Sequence, residues 1–275
     1  GDNVPRSYGY EYDALNRLLQ ANYQKASIET HSYDETLTYD KNGNIITLLR
    51  NGFMDSSSAG MTYPIDALTY TYKPNSNQLQ GVYDNTMSND GFKDANPTAE
   101  DFIYDEFGNL KQDKNKGITN IFYNHLNLPT KIKFKYDETN QINYLYNALG
   151  VKVGKQVRVT ALQSSTIETQ TDYLNGFQYV DNVLEFFPTA EGYVSVTNGD
   201  RFNYVYNYTD HLGNIRLSYS VDPSDQEVKI MEENHYYPFG LKHVNYNVTR
   251  VQFAHDEVGT YVVLRPVDRG KYQYK

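Results

Sequence analysis

Tyr104-Asp105-Glu106-Phe107-Gly108-Asn109-Leu110, YDEFGNL, places a carboxylate and a glycine close enough to suit a metal loop, a phosphate cradle or a tight turn. Repetition decides among these. The same phrase occurs as Tyr12-Asp13-Ala14-Leu15-Asn16-Arg17, Tyr39-Asp40-Lys41-Asn42-Gly43-Asn44, Tyr123-Asn124-His125-Leu126-Asn127-Leu128 and Tyr146-Asn147-Ala148-Leu149-Gly150-Val151. Later forms are Thr209-Asp210-His211-Leu212-Gly213-Asn214 and Tyr236-Tyr237-Pro238-Phe239-Gly240-Leu241, and a worn copy is Tyr72-Lys73-Pro74-Asn75-Ser76-Asn77. Tyrosines 12, 39, 72, 104, 123 and 146 lie 27, 33, 32, 19 and 23 residues apart, which is loose for a solenoid and natural for successive hairpins.

The fifth position is Gly43, Gly108, Gly150, Gly213 or Gly240, and otherwise Asn16 or Asn127. Gly and Asn share a low-cost left-handed backbone. The second position is mostly Asp or Asn, whose side chain bonds the backbone two residues on. A type I turn followed by a left-handed residue closes a short hairpin through a G1 bulge. The fourth position is mostly apolar (Leu15, Phe107, Leu126, Leu149, Leu212, Phe239), which suits a tip packed on a neighbour. Each copy therefore reads as strand, tight turn, strand, with its carboxylate a turn residue. Flanks such as TKIKFKYDE and RFNYVYNYTDHLG alternate apolar and polar residues at the strand period, and no long stretch shows a helical period. The predicted fold is all-β and built from hairpins.

Composition agrees. The chain has 275 residues, 28 of them Tyr, with no Trp and no Cys. Tyrosine covers a half-buried pleated surface with its ring while its hydroxyl stays wet. A net charge of -9 without a basic cluster argues against nucleic acid or an anionic membrane as partner. No run approaches the ~18 apolar residues of a membrane span. Without cysteine, disulfides and thiolate-bound metals are excluded. The opening GDNVPRSYGY has neither a Met nor an apolar signal core, and reads as the start of a fragment or processed chain.

The ordered phrases YNHLNLPTKIKF (123–134), DYLNGFQYVDNVLEFFPTAEGYV (172–194), DHLGNIRLSY (210–219) and YYPFGL (236–241) resemble those of the RHS/YD-repeat superfamily. They resemble the form common in Bacteroidetes-type bacteria, and the resemblance covers roughly residues 8–245. It implies a sheet that curves and spirals into part of a hollow β-shell. Residues 1–206 would be YD-repeat hairpins with a polar insertion at 84–101, 207–246 the start of an RHS-associated core region, and 247–275 a divergent, truncated hairpin. Such shells enclose a C-terminal toxin in bacterial members and serve adhesion in animal ones. Departures are a length far below that of full shells, and Asp222-Pro223, which does not match the family's self-cleaving aspartate motif.

Expectations for chemistry are few. The six histidines (31, 125, 211, 235, 243, 255) form no metal motif, His235 and His243 being the one suggestive pair. His125 and His211 occupy turn tips. DSSSAG at 55–60 lacks a nucleophile elbow. Asp84, Asp90, Asp94, Glu100 and Asp101 offer oxygens to calcium, yet their spacing is neither that of an EF-hand nor that of an RTX nonapeptide, and a surface insertion is the plainer reading. No catalytic residue and no cofactor are expected. The functional expectation is a non-catalytic segment of a secreted or cell-surface bacterial shell that encases or displays a cargo such as a C-terminal toxin used between bacteria. Its partners would be the rest of its shell and that cargo, or a surface or secretion protein. An adhesin or glycan-binding module on the same scaffold is the alternative, with tyrosines stacking on sugar rings.

Overall fold

The computed structural model describes residues 4–52, 54–55, 58, 60, 62–86, 88–96, 98–135, 139–160, 166–197, 201–222 and 225–243, and the backbone of 252–255 and 261–264. Among these residues every regular element is a strand and there is no helix. Contacts group the chain into two compact units, residues 1–170 with 237–245, and residues 171–236 with 246–275.

The first unit opens with β1 (Arg6–Tyr12), β2 (Leu18–Lys25), the short β3 (Ile28–Glu29), β4 (Glu35–Tyr39), β5 (Ile45–Asn51), β6 (Pro64–Tyr72) and β7 (Leu79–Asp84). They form an antiparallel sheet in the order β1-β2-β4-β5-β6-β7, with β3 attached to β2. A second run follows: β8 (Phe102–Tyr104), β9 (Leu110–Asp113), β10 (Ile118–Tyr123), β11 (Pro129–Phe134), β12 (Gln141–Tyr146) and β13 (Lys152–Thr160). Each pairs with its sequence neighbour, and β14 (Thr166–Leu174) adds to β13.

In the second unit the end of β14 pairs antiparallel with β15 (Phe177–Val180). There follow β16 (Val183–Pro188), β17 (Gly192–Thr197), β18 (Arg201–Thr209), β19 (Ile215–Val221) and β20 (Val228–Glu233), again in sequence order. Farther on, β21 (Gln252–His255) and β22 (Tyr261–Leu264) form one antiparallel hairpin. Sequential antiparallel pairing is what short turns enforce, because a parallel neighbour needs a long crossover.

Alternation places the core. Leu18, Leu37, Leu48, Leu68 and Val82 are buried, one from each of β2, β4, β5, β6 and β7. Leu37 stands opposite Leu48 and Leu48 opposite Leu68, so these three run straight across β4, β5 and β6, and Leu18 and Val82 join the same cluster. Slipping any strand by one residue would turn its leucine outward. A second cluster, Ile118, Ile132 and Ile142, lies on β10 to β12, with Ile132 opposite Ile142. In the second unit Val194, Val196, Val205 and Met231 are buried.

The turn tips differ from expectation. Leu15, Phe107 and Leu149 are 69%, 76% and 87% exposed, and Leu126, Leu212 and Phe239 are exposed as well. The fourth residue's N–H is held by the second residue's side chain, as in Leu15 to Asp13 and Phe107 to Asp105, and its own side chain stands clear of the sheet. Gly43 isolates the turn's backbone requirement, since a Cβ there would meet nothing within 4 Å and its φ is +89°. Gly43→Ala is therefore expected to cost about 1–2 kcal/mol from backbone strain alone, and Gly43→Asn distinctly less. Urea unfolding of the two variants checks this.

Candidate functional site

The seven full turns share one hydrogen-bond frame. The second residue's N–H donates to the sixth residue's carbonyl and the fifth residue's N–H returns to the second residue's carbonyl: Asp13/Arg17 with Asn16, Asp40/Asn44 with Gly43, Asp105/Asn109 with Gly108. The same pattern holds for Asn124/Leu128 with Asn127, Asn147/Val151 with Gly150, Asp210/Asn214 with Gly213 and Tyr237/Leu241 with Gly240. All seven fifth residues are left-handed, with φ between 56° at Asn127 and 89° at Gly43. Register shifts fall at Tyr12, Tyr39, Tyr104, Tyr123, Tyr146 and Thr209, the bulges that such turns require. In the worn copy Asn75 is the left-handed residue and Tyr72 pairs with Leu79, one residue farther along than in the full turns.

The carboxylate of the second residue is a local acceptor. Asp40 Oδ1 takes the N–H groups of Asn42 and Asn44 while Oδ2 takes the Asn44 amide at 2.8 Å. Asp105 and Asp210 do the same with Asn109 and Asn214, and Asp13 with Arg17. The Arg17 backbone N–H lowers the pKa of Asp13, and the Asn44 side-chain amide lowers that of Asp40. At Asp105 and Asp210 partial desolvation opposes, and the Asn109 and Asn214 amides with the turn N–H groups prevail, again lowering the pKa. Asn124 and Asn147 hold their turns without charge.

The motif tyrosines do more than cover the sheet. The hydroxyl of Tyr39 donates to the carbonyl of Leu18 at 2.8 Å, Tyr72 to Ile45 at 2.8 Å, and Tyr104 to Leu79 at 2.9 Å. Tyr123 donates to Leu110 at 2.6 Å, Tyr146 to Pro129 at 2.9 Å, and in the second unit Tyr236 to Ile215 at 2.8 Å. Each acceptor is the first residue of the strand leaving the preceding turn. Each of these six repeats is thus stapled to the one before it, and Tyr104 carries the staple across the insertion between β7 and β8. Desolvation raises the pKa of these six hydroxyls, keeping them as donors. Neighbouring tips are joined too, by Arg17 to the Asp40 carbonyl, Asn44 to Asn77 and Asn109 to Asn127.

The insertion at 84–101 is tied to the sheet beside it. Asp84 Oδ1 accepts from the N–H of Ala67 and Asp101 Oδ2 from that of Val82, and both carboxylates are buried. Asp101 Oδ1 accepts from Asn96, and Asp94 from the N–H of Asp84. Phe92 packs on the leucine row, its N–H on Asp66. The Asp90 N–H donates to the Ser88 hydroxyl, the Glu100 carbonyl accepts from the Asn96 amide, and the Glu100 carboxylate faces Lys114. Among the described residues no group of three His, Asp or Glu is placed to hold a metal ion. His125 and His211 are exposed at turn tips. His235 lies between Arg216 and Glu233, whereas His243 is buried. Of the 55–60 stretch, Ser56, Ser57 and Ala59 lie outside the described residues, as do the side chain of His255 and Pro223.

Two buried clusters in the first unit escaped sequence reading. His243 stacks on Tyr33 at 4.0 Å and bonds the Tyr8 hydroxyl at 2.8 Å, with Tyr23 and Tyr237 edge-on to it. Beside it the guanidinium of Arg50 lies over Tyr237 and bridges Glu35 and Asp66, both fully buried. A shallow groove lined by Asp105, Phe107, Asn109, Phe122, Asn124 and Asn127 lies between two turns. The hydrogen bonds of Asp105, Asn109 and Asn127 are spent within those turns.

No family model matches the sequence, and no curated protein is similar to it. Solved structures are. A crystal structure of TcdB2-TccC3-Cdc42 aligns over 93% of this chain and 15% of its own, at 16% identity and TM-score 0.50. One of TcdB2-TccC3 aligns over 93% and 15% at 16% identity and TM-score 0.49. The Photorhabdus luminescens Tc holotoxin pore aligns over 93% and 14% at 16% identity and TM-score 0.48. The likeness is one of fold. It supports an RHS-type arrangement of antiparallel hairpins, of which this chain spans 15% of the length seen in the first of these structures.

Tyr123→Phe should destabilise the protein by about 1 kcal/mol, the net worth of one hydrogen bond, whereas Tyr12→Phe, whose ring is 57% exposed, should leave the urea midpoint unchanged. The turn carboxylates, with folded pKa values below the ordinary one, contribute stability that is complete above about pH 4 and is lost as pH falls through those lowered values. Replacing Asp40 and Asp105 together by Asn should leave neutral stability near that of the parent and make the acid-side loss shallower, as read by thermal melts from pH 6 downwards.

Proposed function

We propose that the chain is a non-catalytic wall segment of a secreted or cell-surface bacterial RHS/YD-repeat shell, of the Bacteroidetes type. In this reading the shell encases or displays a cargo such as a C-terminal toxin used in inter-bacterial competition. The observation that carries the proposal is the tyrosine staple: the repeated residues spend their chemistry on holding one hairpin to the next. A wall excludes; it keeps an effector from contact with its producer until delivery. The likeness in fold to TcdB2-TccC3-Cdc42 supports the same reading. The adhesin or glycan-binding alternative draws less support, since Asp105, Asn109 and Asn127 of the groove described above spend their hydrogen bonds on the turns.

Cryo-EM of the assembly from which the chain is purified tests the proposal. A curved hairpin wall around a cavity that holds extra polypeptide is the expected result. An open sheet whose groove at Phe107 and Phe122 is occupied by sugar, with no enclosed chain, would overturn it in favour of the alternative.

A further inference from the structure

One face of β10 to β13 gathers cations. Phe122 stands opposite Lys131, Lys131 opposite Asn143 and Asn143 opposite Gln156. In the adjacent row Asn120 stands opposite Lys133, Lys133 opposite Gln141 and Gln141 opposite Arg158. Directly opposed residues of antiparallel strands share a face. These side chains therefore stand together, on the side away from Ile132 and Ile142, which alternate with them and are buried. Lys111 joins from β9, lining the same groove as Asn120 and Phe122. Among the described residues Lys111, Lys131 and Lys133 pair with no carboxylate, whereas Lys25, Lys114, Lys116 and Lys229 each have one. The acids at the margins are engaged: Glu168 by Arg158 and Gln156, and Asp105 by its own turn. In a chain of net charge -9 this face is a local excess of positive charge.

We propose that this face docks an acidic, extended segment of a partner polypeptide, with carboxylates at alternate positions on Lys133 and Lys131 and an apolar side chain in the groove beside Phe107 and Phe122. Charge complementarity gives the sign of the partner. Spacing gives its form: alternate residues of a strand recur on one side about every 7 Å, the same interval in the partner as between Lys131 and Lys133. Along β11 the direction from Lys133 to Lys131 leads toward the turns, so the next alternate residue of the segment lies over the groove of about 560 Å³. The Phe107 and Phe122 rings are exposed there and offer it an apolar wall. A polyphosphate fits less well, because the net negative charge of the chain repels it at long range. A neutral sugar fits less well too, since Asp105, Asn109 and Asn127 have their hydrogen bonds within the turns. The inference rests on charge and register within the first unit and holds whether or not a cargo is enclosed.

The test uses the full chain and a fluorescein-labelled peptide in which two glutamates and a leucine alternate with threonine, Glu-Thr-Glu-Thr-Leu. A second peptide has the same residues reordered, Glu-Glu-Thr-Thr-Leu. Fluorescence anisotropy should show saturable binding of the first, about fivefold tighter than the second, the worth of one carboxylate–lysine pair. Lys131→Gln with Lys133→Gln should weaken it about tenfold, the worth of both pairs, and Lys131→Arg with Lys133→Arg should preserve it. Phe107→Ser should weaken the first peptide and leave a variant of it with serine for leucine unaffected. Affinity should fall as ionic strength rises from about 0.03 to about 0.3 M, where the screening length drops below the lysine spacing. Carbodiimide coupling should join the glutamates to Lys131 and Lys133 and spare Lys25 and Lys229. Equal binding of the two peptides, or undiminished binding by the double glutamine variant, would overturn the proposal. Displacement of the peptide by a sulfated oligosaccharide that binds more tightly and depends on the same lysines would overturn the polypeptide partner and assign the face to an anionic glycan.

Discussion

The hydroxyl-to-carbonyl bond of the motif tyrosines is the constraint on which the remaining structure leans. Antiparallel pairing tolerates register slips, because backbone N–H and C=O groups repeat identically along a strand. A side chain that reaches from the end of one hairpin to the first residue after the preceding turn removes that freedom at each of the six stapled repeats. With register held, Leu37, Leu48 and Leu68 fall on one line and bury together with Leu18 and Val82. The staple also explains why the residue is tyrosine: phenylalanine would cover the sheet as well but would leave Leu18 or Ile45 without this donor.

Carboxylates here act mainly as substitutes for backbone. In the turns Asp40 and Asp105 take N–H groups that the hairpin cannot pair. At strand ends Asp84 and Asp101 do so for Ala67 and Val82, where the ladder gives way to the insertion. Buried N–H groups left without acceptors are costly, so a short acidic side chain at such points stabilises the fold without any need for a bound ion. The exception is the Glu35–Arg50–Asp66 group, in which two buried carboxylates share one guanidinium. Burial raises the pKa of Glu35 and Arg50 opposes that shift, so the cluster depends on its arginine staying in place.

Where the repeat phrase lapses, another turn takes over. Between β14 and β15 Asn175 and Gly176 are both left-handed, as are Asp181 and Asn182 between β15 and β16. Two left-handed residues in succession make a two-residue hairpin whose twist matches its strands. The second unit therefore continues the sequential antiparallel pattern without the tyrosine staple over that span, and the staple returns at Tyr236 on Ile215.

The amino-acid sequence by itself determined the all-β class, the hairpin positions and the left-handed fifth residue, because each depends on a few contiguous residues: Gly43, Gly108 or Asn127 needs no distant partner to be read. It left the apolar tips and the tyrosine hydroxyls misplaced. Leu149 looks like packing material in a string of letters, and only the turn geometry shows that it points away from the sheet. The staple spans 13 residues from Leu110 to Tyr123 and 27 from Ile45 to Tyr72, so it exists only once register is set. Tyr8 and His243 are 235 residues apart, and Arg50 meets Tyr237. Those contacts carry no local pattern, because the order of strands and the return of 237–243 bring them together, and tertiary structure alone decided them.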